Sequence, residues 1–238
     1  DFAKDPNYWS LVIKIGKTNK LPRFIRTAEF MGRESLASNL TASQMFYPCM
    51  QIADIFTLGA KITQLGMDQR KVNMLAREIG LQLGYWKPVV VSHHMLMGLG
   101  KPQNTGSKTS RILALKMSKS NPDNAIFMTD TTDEINRKIA KAWCPEGKIL
   151  ENPILEYCKY IIFEKFFTIT IKRPVKFGGD ITFNSFPVLE KAFEEKKLHP
   201  QDLKKMVAEC LDKLIQPVRY HFETNKEAIS LLEKVKSY

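Results

Sequence analysis

The sequence has no apolar run long enough to cross a bilayer, and its first residues lack the basic-then-apolar pattern of a secretory signal. His93 and His94 have no companion cysteine or histidine at zinc-ligand spacing. Only four cysteines are present, far apart and without a CxxC pair: Cys49, Cys144, Cys158 and Cys210. We therefore expect reduced thiols, no structural metal site, no membrane attachment and a cytoplasmic location.

Acidic residues are too few to balance the basic ones, with 25 Asp and Glu against 36 Lys and Arg and a net charge of +11. Such a field favours polyanionic partners, nucleic acid first and acidic membranes second. A generic basic surface that serves solubility is the alternative. The 238 residues can form one large domain or two modest ones, each with a sizeable core.

The first part of the chain alternates predicted helices and strands. Helices are predicted over residues 6–17, from Thr41 or Ser43 to about Leu58, and from a cap at Asp68 to about Leu83. Short buried strands are predicted at 61–65 and 88–92, the second containing three consecutive valines. Strand, helix and strand with short connections indicate a parallel, doubly wound α/β sheet.

The pattern changes in the second part of the chain. Thr131 to Glu134 forms a capping box that predicts a helix ending near Cys144, and Asn152-Pro153 predicts another to about Phe163. A β-branched stretch at 168–183 precedes three helical segments over 186–238. We therefore expect a boundary near residue 150, between an α/β domain (1–150) and a mainly helical domain (151–238).

The most informative stretch is Lys116-Met117-Ser118-Lys119-Ser120. Two lysines separated by two small or flexible residues can place both ammonium groups on a triphosphate while the loop stays mobile. Such a loop can stabilise the charge that develops as pyrophosphate leaves. It resembles the signature loop of class I aminoacyl-tRNA synthetases. A solvated Lys/Ser loop is the alternative for so short a pattern.

A second signal lies on the helix predicted after Thr41. Tyr47, Gln51 and Asp54 occur at positions i, i+4 and i+7, which puts them on one stripe of the helix. The other sides of this helix carry large apolar residues: Phe46, Met50, Ile55, Phe56 and Leu58. A carboxylate and an amide among core residues need hydrogen-bond partners. The alternative is an amphipathic helix whose polar stripe faces water.

Two segments, 47–54 and 66–78, resemble tyrosyl-tRNA synthetases of the archaeal and eukaryotic cytosolic type. The lysine loop at 116–120 follows them in the order expected for that family, and the similarity extends over nearly the whole chain. The resemblance implies a Rossmann-like catalytic domain, here represented by its second half, followed by a helical anticodon-binding domain. It also implies a tyrosine site in which Asp54 accepts the phenol hydroxyl, while the amino-acid end is surrounded by Tyr47, Gln51 and Gln69. Tryptophanyl-tRNA synthetases are the nearest relatives of that family, but the stripe fits a phenol better than an indole.

The C-terminal part carries a third signal in Lys176–Asp180 and His199–Lys204. These stretches resemble the anticodon-binding region of the same family, and Phe177 and His199 stand 22 positions apart, as they do there. The resemblance implies that Phe177 and His199 sandwich the first anticodon base and that Asp202 accepts from its Watson–Crick edge. The alternatives are that Phe177 is an ordinary core residue and that Asp202 caps a helix.

The resemblance further implies the partners and the chemistry. ATP, as its Mg²⁺ complex, would be bound by Lys116, Met117, Ser118, Lys119 and Ser120, with residues 95–99 beside the nucleotide. Lys116 and Lys119 would act on the leaving pyrophosphate, and no side chain would act as a covalent nucleophile. The expected partners are tyrosine, ATP and tRNA(Tyr), without metal held by the protein itself. The family is typically homodimeric, and the helix at 43–58 is a candidate for that contact.

The sequence also departs from the family. An HxGH-like motif is absent, and so are the first strand and the pocket tyrosine that usually partners the aspartate on the phenol. We therefore expect a fragment of a longer chain that is incomplete for catalysis by itself. A naturally truncated, non-catalytic tRNA-binding paralogue and a signalling or scaffolding fragment are the alternatives.

Overall fold

The computed structural model describes residues 2–30, 41–102, 117 and 121–237. These residues divide into two compact units. The N-terminal unit contains the described residues up to Met95, and the C-terminal unit contains those from Leu96 onward. The expected boundary near residue 150, placed where the predicted α/β pattern gives way to helices, stays a prediction.

The N-terminal unit alternates helices with two strands. Its elements are α1 (Pro6–Gly16), α2 (Leu21–Phe30), α3 (Ala42–Thr57), β1 (Ile62–Gly66), α4 (Arg70–Ile79) and β2 (Val89–His93), with short 3₁₀ turns at Phe2–Lys4, Met67–Gln69 and Leu81–Leu83. Strands β1 and β2 pair in parallel, from Ile62 opposite Val89 to Gly66 opposite His93. The predicted α/β class with a parallel sheet is thereby confirmed.

Local sequence explains how α3 begins. The Thr41 side chain accepts from the Gln44 amide nitrogen, and the Gln44 side chain accepts from the Thr41 amide nitrogen. This reciprocal capping box satisfies two amide groups that a helix start leaves unpaired. Of the two predicted starts, Thr41 is therefore the cap.

The prediction for α4 was wrong at both ends. The N-cap of α4 is Gln69, and Asp68 lies in the preceding 3₁₀ turn. The helix ends at Ile79 and not near Leu83, and its C-cap is Gly80, where any side chain would collide with the Trp86 carbonyl oxygen. The residues beyond it form a separate 3₁₀ turn that ends at Gly84 with a positive φ of 79°.

Helix α3 lies at the centre of the N-terminal unit, since it packs against α1, α2 and α4. The core consists mainly of side chains from α1, α3 and α4, with Phe24 from α2, and includes Val12, Ile15, Ile52, Phe56, Val72 and Leu75. Phe56 also stacks on Tyr85, with ring centroids 4.5 Å apart. Of the large apolar residues predicted on α3, Ile55 and Phe56 are buried, whereas Phe46 and Leu58 are exposed, since they lie outside its core-facing stripe.

The C-terminal unit is mainly helical. Its helices are α5 (Thr132–Lys141), α6 (Pro153–Tyr157), α7 (Phe163–Lys165), α8 (Phe186–Glu194), α9 (Pro200–Thr224) and α10 (Lys226–Lys236), with a π-helical segment Cys158–Ile162 joining α6 to α7. The predicted capping box at Thr131 and cap at Asn152 are both present. Helix α5 ends at Lys141, slightly before the predicted end. Strands β3 (Ile169–Ile171) and β4 (Ile181–Phe183) form an antiparallel hairpin in the β-branched stretch.

The core of the C-terminal unit forms around α9, which packs against α5, α6 and β3. The fully buried residues include Ile135, Ile139, Cys158, Phe193, Leu203 and Val207. No helix within the described ranges is long and apolar enough to cross a membrane. The same part of the chain holds no cluster of three or more His, Cys, Asp or Glu side chains suited to a metal ion.

Candidate functional site

The Asp54 carboxylate is tied to a residue of another helix. The Tyr8 hydroxyl, on α1, donates to Asp54 Oδ1 at 2.8 Å and lies 3.3 Å from the Met50 carbonyl oxygen. The Tyr8 side chain is only 4% exposed. Burial, together with the hydrogen bond to Asp54, raises the pKa of the Tyr8 phenol well above its usual value, so Tyr8 is the donor at neutral pH. Within the described residues, no other hydrogen bond reaches this carboxylate.

The two glutamines of the predicted site carry unpaired acceptors. Gln51 Oε1 on α3 and Gln69 Oε1 before α4 are both buried and lack a hydrogen-bond partner in the described part of the chain. An unpaired buried acceptor costs about 1–3 kcal/mol. Such atoms are uncommon in native structures, and a site that awaits a ligand donor is one explanation. The alternative of a polar stripe that simply faces water does not fit Gln51.

Asn73 is a further buried amide near Gln69 in sequence, and the sequence reasoning missed it. It lies on α4, four positions after Gln69, and is fully buried, and neither its Oδ1 nor its Nδ2 has a hydrogen-bond partner among the described residues. The signal was present in the sequence, because positions 69 and 73 are separated by the i, i+4 interval. Tyr47, one turn before Gln51, is 44% exposed and forms the outer end of the stripe.

The lysine loop falls almost entirely outside the described residues, which include Met117 but not Lys116, Ser118, Lys119 or Ser120. Met117 is partly buried, with its Sδ 4.0 Å from the Tyr157 hydroxyl. The chain that follows the loop is bound to the segment at 97–100. The Asn124 backbone oxygen accepts from the Leu99 amide at 3.0 Å, and Asn124 Oδ1 accepts from the Gly100 amide at 2.6 Å.

The predicted anticodon residues lie in the C-terminal unit. Phe177, in a 3₁₀ turn before Gly178 and Gly179, is 61% exposed, so it is not a core residue. His199 caps α9, with its Nδ1 accepting from the Gln201 amide at 3.2 Å. The cap of this helix is therefore not Asp202, which lies in the first turn. Both alternatives that the sequence left open thus fail.

Arg173 joins the two segments that carry these residues, and the sequence reasoning missed it too. Its Nε donates to the Gly179 carbonyl and its NH1 donates to the Lys197 carbonyl, each at 2.9 Å. Its backbone amide donates to Asp180 Oδ1 at 3.0 Å. One planar guanidinium thereby connects the turn after Phe177 with the residues just before His199. No local pattern marks Arg173, because its partners are backbone carbonyls.

Comparison with known proteins identifies the family of the chain. The family model "tRNA synthetases class I (W and Y)" matches residues 1–216 of the chain. The chain belongs to this family. Its tyrosine and anticodon candidates all lie inside the matched residues.

Individual relatives of this class I synthetase chain carry tyrosine in their names. The Arabidopsis thaliana protein "Tyrosine--tRNA ligase 1, cytoplasmic" is 48% identical over 99% of this chain and 58% of its own length. The tyrosine–tRNA ligase of Thermococcus sibiricus is 42% identical over 96% of this chain and 65% of its own length. The chain therefore spans about three fifths to two thirds of these relatives.

A solved structure shares the fold of this class I synthetase chain. The tyrosyl-tRNA synthetase of Pyrococcus horikoshii, crystallised with L-tyrosine, superposes with a TM-score of 0.85 at 39% sequence identity. The match covers 98% of this chain and 66% of that one. A class I synthetase fold is thus shown for the chain.

Proposed function

We propose that the chain belongs to a tyrosine–tRNA ligase, which activates tyrosine with ATP to tyrosyl-adenylate and transfers it to the 3′ end of tRNA(Tyr). The observation that carries this proposal is the Asp54 carboxylate, which has one oxygen held by Tyr8 and no further hydrogen bond within the described residues. The similarity to proteins named tyrosine–tRNA ligases supports the same substrate.

Asp54 provides the selectivity for tyrosine. A carboxylate that accepts the substrate hydroxyl is left unpaired when phenylalanine binds, and this penalty opposes phenylalanine binding. Tyrosyl-tRNA synthetases are themselves the established case of this effect, at about 10⁵-fold. An indole N–H lies elsewhere on a larger ring, so the same aspartate disfavours tryptophan.

The amino-acid end of the substrate suits the buried amides. An α-ammonium group offers three donors and no acceptor, and it therefore fits unpaired carbonyl oxygens such as Gln51 Oε1 and Gln69 Oε1. Hydrogen bonds from a charged donor are stronger than neutral ones. Tyr47 lies on the same helical stripe and contributes to this end of the pocket.

ATP is the second substrate and enters as its magnesium complex. In this proposal Mg²⁺ is bound by the phosphates of the nucleotide. Lys116 and Lys119 stabilise the negative charge that develops on the leaving pyrophosphate, with Met117, Ser118 and Ser120 completing the loop. The tyrosine carboxylate attacks the α-phosphorus, and catalysis consists of positioning and charge stabilisation.

tRNA(Tyr) is the third substrate. Unpaired bases of an RNA loop are recognised by stacking on rings and by hydrogen bonds to their edges. Phe177 and His199 provide the rings, Asp202 provides an acceptor, and the net charge of +11 favours the phosphate backbone. We also assign a homodimer with α3 at the contact, where Phe46 and Leu58 are exposed, and a cytoplasmic location like that named for the Arabidopsis relative.

Aminoacylation tests the proposal. The natural full-length protein is incubated with ATP, tRNA transcripts and labelled tyrosine or tryptophan, and charged tRNA is counted. We expect charging with tyrosine only, and a large loss when the first anticodon base is changed. Charging with tryptophan would assign the protein to the sister enzymes. Binding of tRNA without charging would identify a non-catalytic paralogue.

A further inference from the structure

We infer that Tyr8 is a positioning residue for tyrosine selectivity, because its hydroxyl holds one oxygen of Asp54 and so fixes the carboxylate whose other oxygen accepts the substrate hydroxyl. This inference rests on the proposed function. It adds a residue from α1, 46 positions away in sequence, to a site that sequence patterns confine to α3 and the start of α4.

The geometry holds the Tyr8 hydroxyl in place. Its ring stacks on Phe2, with centroids 5.3 Å apart, and meets Trp9 edge to face at 5.6 Å. The hydroxyl is 2.8 Å from Asp54 Oδ1 and 3.3 Å from the Met50 carbonyl oxygen. Since the ring is buried, it has little freedom to turn away. The position of the carboxylate oxygen is therefore set from outside its own helix.

The chemistry explains why this matters for selectivity. An aspartate free to rotate could turn its carboxylate to water when phenylalanine binds, and the unpaired oxygen would then cost little. An aspartate held by Tyr8 cannot turn without losing that hydrogen bond, so its second oxygen stays in the pocket and remains unpaired. Bonds to a charged acceptor contribute more than neutral bonds, which makes the restraint effective. The raised pKa of Tyr8 keeps it a donor throughout the neutral range.

A purely structural role is the competing explanation, since the same bond links α1 to α3. The two roles differ in what they change. A structural role alters the folded fraction, and it changes the rates with tyrosine and phenylalanine by the same factor. A positioning role alters the ratio of the two values of kcat/KM. That ratio does not depend on the concentration of folded protein, because both substrates are measured on one preparation.

The test uses the natural full-length protein and amino-acid-dependent ATP–pyrophosphate exchange. Tyr8→Phe removes only the hydroxyl, and we expect the tyrosine-to-phenylalanine ratio of kcat/KM to fall roughly tenfold. Tyr85→Phe is the matched control. It deletes the same group from a ring stacked in the same unit, and no hydrogen bond of that hydroxyl is seen in the described residues. We expect its ratio to equal that of the wild type.

Asp54→Asn supplies the second half of a double-mutant cycle. If Tyr8 acts through Asp54, Tyr8→Phe causes no further fall in the ratio when position 54 is asparagine. Tyr8→Met repeats the test with a different shape, should the phenylalanine variant not fold. An unchanged ratio in Tyr8→Phe, or an independent tenfold fall in the asparagine background, would overturn the inference. Absence of exchange in the wild type would instead refute the proposed function, before any variant is compared.

Discussion

Lys138 Nζ lies 2.7 Å from Asp130 Oδ2, and the two side chains are only 3% and 6% exposed. The ammonium group also donates to the Ala125 carbonyl at 3.0 Å, and the same carboxylate oxygen accepts from the Phe127 amide at 2.9 Å. This buried pair therefore binds residues 125–130, which follow the lysine loop in sequence, to helix α5.

Removing the lysine should destabilise the C-terminal unit. Lys138→Met leaves the Asp130 carboxylate buried without its counter-charge, and we expect a loss of about 3 kcal/mol in the free energy of unfolding. Urea denaturation measures it. Lys141→Met, on the exposed side of the same helix, should change stability little. Equal effects of the two substitutions would show that the buried pair has no special role.

Removing the Arg173 guanidinium, which we call the clamp between the turn after Phe177 and the residues before His199, should weaken anticodon recognition. Arg173→Met breaks the bonds to Gly179 and Lys197, so the turn that carries Phe177 is no longer held to the residues before His199. We expect roughly tenfold weaker binding of tRNA(Tyr) and little change for a tRNA with a substituted first anticodon base. Filter binding measures both. The neighbouring exposed Lys172→Met controls for lost charge, and an identical loss with both tRNAs would contradict the clamp.

Loss of the second loop lysine should affect chemistry more than binding. Lys119→Ala removes the ammonium group that we propose to act on the leaving pyrophosphate, so we expect adenylate formation to slow by roughly 10²-fold. Tyrosine affinity should change little. Single-turnover kinetics and equilibrium dialysis separate the two quantities, with the exposed Lys87→Ala as control. Comparable losses in rate and affinity would contradict a transition-state role.

The four thiols should be inert in the native protein. All four cysteines are buried, and burial raises the pKa of the Cys49 thiol to about 11. The reactive species is the thiolate, so iodoacetamide at pH 8 should label none of them until the chain is unfolded. Mass spectrometry counts the adducts. Rapid labelling of Cys49 in the native state would contradict its burial.

The same shift makes stability depend on pH. The unfolded thiol loses its proton near pH 9.0, while native Cys49 keeps it until about 11. The stabilisation that the buried, protonated Cys49 thiol adds to the free energy of unfolding is therefore complete below pH 9, and it is lost as the pH rises through 11. Cys49→Ala should flatten the fall in unfolding free energy across this interval. An unchanged slope would show that this thiol does not contribute.

The sequence predicted what is encoded locally. The caps at Thr41, Thr131 and Asn152 depend on residues a few positions apart, and the structure contains all three. The stripe of Gln51 and Asp54 follows from helical periodicity alone. Asp68 was wrong as a cap because a 3₁₀ turn intervenes before α4, and nothing in its immediate sequence reveals that turn.

The missed residues act over long sequence distances. Tyr8 reaches Asp54 only after α1 packs against α3, and Arg173 reaches Lys197 only after the hairpin packs beside the start of α9. Such contacts depend on tertiary packing, which no periodicity within one element records. The lysine loop was identified from sequence alone, and its roles remain predictions.

The most direct test of the central claim is ATP–pyrophosphate exchange by the natural full-length protein, with tyrosine, tryptophan and phenylalanine supplied separately. The Asp54 pocket predicts exchange with tyrosine and a signal with the other two that is lower by several orders of magnitude. Asp54→Asn should reduce this preference, while Glu209→Gln, an exposed carboxylate change on α9, should leave it intact. Exchange driven by tryptophan as well as by tyrosine would contradict the account.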